Sequence, residues 1–334
     1  MEKTGVREIS RKTGYSPATV SNVLNNKAGV SRKAIDAVMA AARELGLDHA
    51  EPTRQITFVL GRKIGSVIDQ EDFHPIVVEG VRREAEARGL DVVYASVDLA
   101  RPERAAAQVS ELFSNPNAAV LLYAAEMEEA DYRLFAPYAD RLVVIEGWSE
   151  LLPFECVATA NEAAAFRATA FLIERGFRRI GYLASGLRLR GYITRERGYR
   201  RALGAAGLSY EEGLRIVASP GIEDARLDVL AWLRAHRELP EALFCDCDRL
   251  AVGAMRAFAE CGVAVPEDIS IVGFEGVLAA NFVSPQLTTM YVPKAEIGEL
   301  ATRKLVEGMG TKRDFCTTTL VGASLAERGT VRAR

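Results

Sequence analysis

Residues 14–26 read Gly14-Tyr15-Ser16-Pro17-Ala18-Thr19-Val20-Ser21-Asn22-Val23-Leu24-Asn25-Asn26. A glycine can end one helix in a left-handed conformation, and two residues later a serine hydroxyl can accept from the free amides of the next. Proline fits the first helical turn, where no amide hydrogen is needed and φ is already helical. A helix is therefore expected from Pro17, with Val20, Val23 and Leu24 turned inward and Ala18, Ser21, Asn22 and Asn25 on a small, amide-rich outer face. Upstream, Val6 to Lys12 can form a short helix capped by Thr4 or Gly5, with Val6 and Ile9 inward. Downstream, Ser31 can cap a third, whose apolar positions Ile35, Val38, Met39, Ala42 and Leu45 keep helical spacing until Gly46.

Three short helices over one core within residues 1–47 have the geometry of a helix-turn-helix, in which the second helix enters the major groove. Asn22 can pair two-fold with adenine, Ala18 can touch a thymine methyl, and Ser21 or Thr19 can reach a phosphate. Thr4, Arg7, Ser16, Pro17, Asn25, Asn26 and Ser31 complete the candidate DNA surface. A helical hairpin docking on another protein is the competing reading.

Charge is distributed in keeping with the first reading. The chain carries −3 overall, yet residues 1–33 hold seven basic side chains (Lys3, Arg7, Arg11, Lys12, Lys27, Arg32, Lys33) against Glu2 and Glu8, which leaves −8 for the rest. A basic end on an acidic body suits phosphate contact through that end alone. With 334 residues, 49% of them hydrophobic, the chain can fill two or three cores. No run of about 18 apolar residues suggests a membrane span, and the opening Met1-Glu2-Lys3-Thr4-Gly5 lacks a signal-peptide core, so a cytoplasmic location is expected. Cys156, Cys245, Cys247, Cys261 and Cys316 are odd in number and scattered, as reduced thiols would be.

From Ile56 onward, apolar strands alternate with amphipathic helices. Strands are expected at 56–61, 91–97, 118–123, 141–146, 179–184, 242–245 and 269–274, and helices at 75–88, 103–114, 162–175, 196–206, 225–236 and 249–261. That alternation implies α/β architecture with parallel sheets covered on both faces. Two such sheets divided near Pro153 would place a ligand at the carboxyl ends of their strands.

The string 14–26 with Val30-Ser31 resembles the signature of the lactose-repressor/galactose-repressor family. The likeness extends through 248–254 (DRLAVGA), 265–274 (VPEDISIVGF) and 287–289 (LTT). It implies a small all-α headpiece at 1–47, a linker, and a two-lobed periplasmic-binding-protein-like domain at 56–334 for effector binding and dimerisation. Lobe 1 would comprise about 56–153 and 281–315, lobe 2 about 154–280 and 316–334, with crossovers near 154, 281 and 316. The implied function is a transcription regulator, a homodimeric repressor of carbohydrate-related genes. Its partners would be double-stranded operator DNA and a small-molecule effector, a sugar or sugar derivative, with no membrane. The alternative is a sugar-like sensor with weak or no DNA binding.

The resemblance also assigns effector residues. Arg195, three residues before Gly198-Tyr199, stands where the family has its sugar-binding arginine, and Phe73 with His74 stands where it has an aromatic pair. Asp246, Asp248 and Glu275 sit at strand ends, Glu275 where aspartate is usual. Asp248 capping its helix, or Glu275 pairing with Arg195, is the simpler alternative. Other positions depart from the pattern. Asn22 stands where arginine is frequent, Ala160 replaces an aspartate and Cys247 an asparagine, so a standard hexose would lose contacts here. The linker 48–55 (DHAEPTRQ) contains no leucine, and Pro52 disfavours helix at Glu51, so neither a hinge helix nor a minor-groove wedge is expected.

Signs of an enzyme are missing from the sequence: there is no phosphate-binding glycine loop, no nucleophile elbow, and no metal-spaced pair among His49, His74 and His236. No catalytic residue, metal or cofactor is assigned. Cys245-x-Cys247 could hold a soft metal, but a buried strand end explains it more simply.

Overall fold

The computed structural model describes residues 2–24, 30–45, 55–65, 73–115, 117–236, 238–309 and 315–332, with only the backbone of residues 2–4, Arg32 and Arg43. Helix α1 spans Glu2–Thr13, α2 Pro17–Leu24 and α3 Arg32–Glu44. Their shared core is Ile9, Val20, Val23, Val38, Met39, Ala41 and Ala42, with Val6, Leu24 and Ile35 packed against it. The turn forms as its residues dictate. Gly14 adopts φ +73° and donates its amide to the Ser10 carbonyl at 3.0 Å. Ser16 Oγ then accepts the Thr19 amide at 3.1 Å, and Ser31 Oγ accepts that of Ala34 at 3.3 Å. Two expectations need correction. Helix α1 begins at Glu2, so neither Thr4 nor Gly5 caps it, and Leu45 lies just past α3 and is exposed rather than inward. The linker reading falls, apart from Gln55, outside the described residues, as do Asn25, Asn26 and Gly46.

Beyond the linker come β1 (Gln55–Arg62), α4 (Phe73–Ala87), β2 (Asp91–Asp98), α5 (Pro102–Leu112), β3 (Ala119–Tyr123), β4 (Leu142–Ile145), β5 (Glu155–Thr159) and α6 (Asn161–Glu174). They are followed by β6 (Ile180–Ser185), α7 (Arg190–Ala205), β7 (Arg215–Ala218), α8 (Ile222–Ala235), β8 (Ala242–Cys245), α9 (Asp248–Glu260) and β9 (Ser270–Glu275). The remaining elements are β10 (Thr288–Tyr291), α10 (Lys294–Gly308), β11 (Thr318–Val321) and β12 (Ser324–Ala326). The strands form two six-stranded sheets in the orders β11-β5-β4-β3-β1-β2 and β12-β10-β9-β8-β6-β7. Pairing from β2 through β5 and from β7 through β10 is parallel, and β12 joins β10 antiparallel. Strands β3, β4, β6, β8 and β9 are buried at every residue. Burial on both faces explains why they read as continuous apolar runs instead of alternating.

The chain divides into two compact units, Met1–Lys63 with Val77–Val157 and Gly298–Thr318, and Ile64–Ile76 with Ala158–Ile297 and Thr319–Arg334. The segment beyond 281 stays with the second unit as far as Ile297, because Thr288–Tyr291 pairs in parallel with β9. The strands at 155–159, 215–218, 288–291, 318–321 and 324–326 are short and were not expected from the pattern.

Helices α8 and α9 approach closely only because residue 253 has no side chain: a Cβ there would lie 2.5 Å from the Ile222 carbonyl oxygen, whereas one on Gly204 in α7 would meet nothing within 4 Å. Gly253→Ala is expected to destabilise by about 1–3 kcal/mol through overpacking. Gly204→Ala should stabilise by roughly 0.5–1 kcal/mol through helix propensity. Thermal denaturation of the two variants, moving in opposite directions from the parent, checks both.

Candidate functional site

Two groups of side chains carry the sequence-predicted roles. In the headpiece, α2 turns Val20 and Val23 into the core and leaves Ser16, Pro17 and Ala18 exposed and Thr19, Ser21 and Asn22 half-buried. Arg7 on α1 and Ser31 before α3 are exposed as well. Ser16 and Thr19 share a hydroxyl contact at 2.9 Å in addition to the cap. The Thr4 side chain, Asn25 and Asn26 lie outside the described residues.

The second group lies within the second unit, at the carboxyl ends of β6, β8 and β9 and the first turns of α6, α9 and α10. Parallel strands bring their carboxyl ends to one edge, where following helices begin. Arg195 on α7 is at its centre, 4% exposed. Its Nε donates to Asn161 Oδ1 at 2.8 Å. Its Nη1 donates to the Asp246 carbonyl at 2.6 Å and to Glu275 Oε1 at 2.9 Å. The guanidinium carbon stands 4.0 Å from the Phe274 ring centroid and 5.1 Å from that of Tyr192. The pairing of Glu275 with Arg195, held open from the sequence, is thus present.

Asp246 and Asp248, both 0% exposed, spend their carboxylates internally. Asp246 accepts from the Tyr182 hydroxyl, from the Ser185 amide at 2.7 Å and from Arg188 at 3.4 Å. Arg188 also reaches Glu196 at 2.6 Å, a carboxylate shared with Arg200 and Arg215. Asp248 accepts from the Val277 amide at 2.8 Å and from the Thr289 hydroxyl at 2.5 Å. It is the first residue of α9, whose cap position is Cys247 and bears no side-chain cap bond, so the capping alternative does not hold. The Lys294 ammonium donates to the Glu275 carbonyl and stands 5.4 Å from the ring centroid of Phe73. His74, next to Phe73, is half-buried.

The sequence missed Asn161, Tyr182, Arg188, Glu196 and Lys294. Asn161 was legible in part: a polar residue opening a helix directly after Ala160, it supplies an oxygen one position beyond the one where the resemblance places aspartate. The thiol of Cys247, in place of an asparagine, is buried and pushed up by desolvation, with the Glu275 charge adding. None of the five cysteines is in a disulfide.

Burial pushes the Asp246 carboxyl up to about 6. Burial, with the Glu275 charge adding to it, pushes Asp248 up to about 7. Their ordinary value, 3.8, applies in the unfolded chain. Between those limits the folded state binds more protons at these two groups, so their contribution to stability is fully present below about pH 4 and is lost as pH rises through 6 to 7. Asp248→Asn can keep the Val277 bond and donate to Thr289 while never ionising. Urea titrations from pH 4.5 to 8 should therefore show a flatter profile for the variant, with on the order of 2–4 kcal/mol less loss than the parent.

Comparison with known proteins places both groups in one framework. Residues 6–47 match the description "Bacterial regulatory proteins, lacI family", and residues 169–331 match "Periplasmic binding protein-like domain". The HTH-type transcriptional regulator GalS of Salmonella typhimurium is 30% identical over 332 residues, covering 98% of this chain and 97% of that protein. Among solved structures, the transcriptional regulator CelR in complex with cellobiose has a TM-score of 0.72 at 24% identity, over 97% of this chain and 99% of that one. The lac repressor dimer bound to operator and the anti-inducer ONPF has the same fold, with a TM-score of 0.72 at 21% identity over 96% of this chain and 97% of that one. Since GalS is 30% identical across 98% of this chain and residues 6–47 match the family's description, this chain belongs to the lacI family of bacterial regulatory proteins.

Proposed function

We propose that this family member is a homodimeric repressor of carbohydrate-related genes. Residues 1–47 bind double-stranded operator DNA, 48–55 join the two parts, and 56–334 bind a sugar or sugar derivative. The observation that carries the reading is α2: a capped helix behind a tight turn, with its hydrophobic side spent on the headpiece core and its first residues, Ser16, Pro17 and Ala18, left exposed. Such a helix can lie in a major groove with its amino end at the base edges. Asn22 reads adenine, Ala18 meets a thymine methyl, and Arg7, Thr19, Ser21 and Ser31 contact the backbone. The excess of basic residues over 1–33 supports phosphate contact.

Effector binding rests on Arg195 and Glu275, positioned by Asn161 and Asp246, with Phe73 and His74 offering aromatic surface. Coupling to DNA follows if the effector binds two arrangements of the protein with different affinity. The cellobiose held by CelR supports a carbohydrate effector. Dimerisation is supported by β2, an edge strand with Val93 and Tyr94 exposed, and by Leu278 and Phe282 in the second unit, 62% and 78% exposed. No catalytic role is assigned. Among the described residues no helix is long and apolar enough to cross a membrane.

Fluorescence anisotropy on DNA from the chain's own upstream region tests the proposal. Binding should be sequence-specific, weaken steeply with salt, and fall roughly 5- to 150-fold for Asn22→Ala, the loss of one two-fold base contact. Absence of specific binding at every salt concentration overturns it. For the dimer, Phe282→Glu should shift sedimentation from dimer toward monomer while leaving the circular dichroism spectrum unchanged.

A further inference from the structure

Residues 188–201 carry six arginines against one acid, Glu196, a local charge of +5 that leaves −13 for the rest of the chain beyond residue 33. They form the end of the loop after β6 and most of α7. Arg195 turns into the strand-end cluster, whereas Arg197, Arg200 and Arg201 are exposed. Ile193, Arg197, Arg200 and Gly204 follow helical spacing and are all exposed, so they line one stripe, apolar at its start and basic beyond.

The stripe runs beside β7, the last strand of its sheet. Arg215 on β7 donates to Glu196 of α7 at 3.1 Å, which puts Arg215 on the face that α7 covers. Side chains alternate along a strand, so Val217 lies on that face too. It is 51% exposed, and Ile193, one turn before Glu196, is 39% exposed. Backbone groups alternate as well. The Gly186 amide donates to the Ala218 carbonyl at 2.7 Å, so Ala218 directs its polar groups toward β6 and Val217 directs its N–H and C=O away from β6. On that outer side β7 has no neighbouring strand among the described residues.

An open strand edge is a template for another strand, and natural edges are commonly guarded by a charge, a proline or a bulge. The one charged residue of β7, Arg215, is drawn onto Glu196 and leaves the edge unguarded. Nearby charges are unevenly matched. Glu196 is shared by Arg188, Arg200 and Arg215, Glu162 takes Arg201 at 2.6 Å, and Glu212 adds a negative charge near Arg200 and Arg215. Arg197 has no ion-pair partner among the described residues. A nucleic acid would meet this single unpaired guanidinium, whereas backbone binding normally neutralises several phosphates, and it has no amides to pair with a strand edge. An extended acidic peptide can use both features.

We infer that β7 and the exposed stripe of α7 form a docking surface for an acidic, extended segment of a partner protein. The segment adds as a strand beside β7, pairs its backbone with Val217, rests an apolar side chain on Val217 and Ile193, and directs a carboxylate at Arg197. Main-chain hydrogen bonds supply the affinity of such strand additions and side chains the selectivity.

The probe is a fluorescein-labelled octapeptide of alternating glutamate and valine, titrated with the full chain at pH 7.5 and followed by anisotropy. It should bind with a Kd below about 1 mM at low salt and more weakly as salt is added. Arg197→Glu should weaken binding at least five-fold. Val217→Pro removes the outward amide at a position where a strand edge tolerates proline, and should weaken it at least ten-fold. The same peptide N-methylated at alternate residues should bind the parent at least ten-fold more weakly, and it reads the same pairing should Val217→Pro fail to fold. Three results overturn the inference. One is no binding of the glutamate-valine peptide with a Kd below about 1 mM. Another is binding that survives Arg197→Glu, or that survives both Val217→Pro and N-methylation, which places the peptide on another basic surface such as residues 1–33 or removes the strand pairing. The third is an octathymidylate that binds more tightly than the peptide and is lost in Arg197→Glu, which makes the surface one for nucleic acid.

Discussion

A buried guanidinium has to be given oxygens, and in the second unit that requirement organises the end of the sheet. Arg195 draws them from three different segments: the side chain that opens α6, the carbonyl between β8 and α9, and the carboxylate that ends β9. Removing one partner of a buried ion pair typically costs about 3–5 kcal/mol, because the charge left behind has lost its hydration as well. Each segment is thus held in register with the others by a charge that none of them could accommodate alone. Phe274 on one face and Tyr192 on another shield the guanidinium without competing for its hydrogens.

Two other carboxylates in this cluster have a different task. Asp246 ties the loop after β6 to the end of β8 through the Ser185 amide and Arg188, and Asp248 ties α9 to the turn after β9 through Val277 and to β10 through Thr289. Their oxygens are occupied by the protein, which leaves Glu275 as the acidic side chain with an oxygen to offer. Six residues expected from sequence to contact ligand thereby separate into an ion pair, Arg195 and Glu275, a fastening pair, Asp246 and Asp248, and the aromatic Phe73 and His74.

That separation marks where sequence reading stops. The turn and the helices that follow it in the headpiece were legible because their signals are local: a glycine at positive φ, hydroxyls that cap within three residues, and apolar positions at helical spacing. The long buried strands were legible as apolar runs. Strands such as Arg215–Ala218 and Thr288–Tyr291 were not, since Arg215, Thr288 and Thr289 break the apolar run and the pairing comes from neighbours far away in the chain. Arg188 and Lys294 were invisible for the same reason. A cation in a loop or at the start of a helix reads as ordinary surface charge until the fold reveals a carboxylate or a carbonyl beside it.

Why the chain should retain buried aspartates that are reluctant to ionise follows from the alternatives. An alanine at 246 would leave the Tyr182 hydroxyl and the Ser185 amide without the acceptor they now share, each a buried polar group costing about 1–3 kcal/mol when unsatisfied. A protonated or partly protonated carboxyl satisfies those donors with less charge to desolvate, so the raised titration is the cheaper solution. The same economy bears on the ligand. Under the proposed effector assignment, recognition falls to Arg195 and Glu275, because Asp246 and Asp248 already serve the Tyr182, Ser185, Val277 and Thr289 donors.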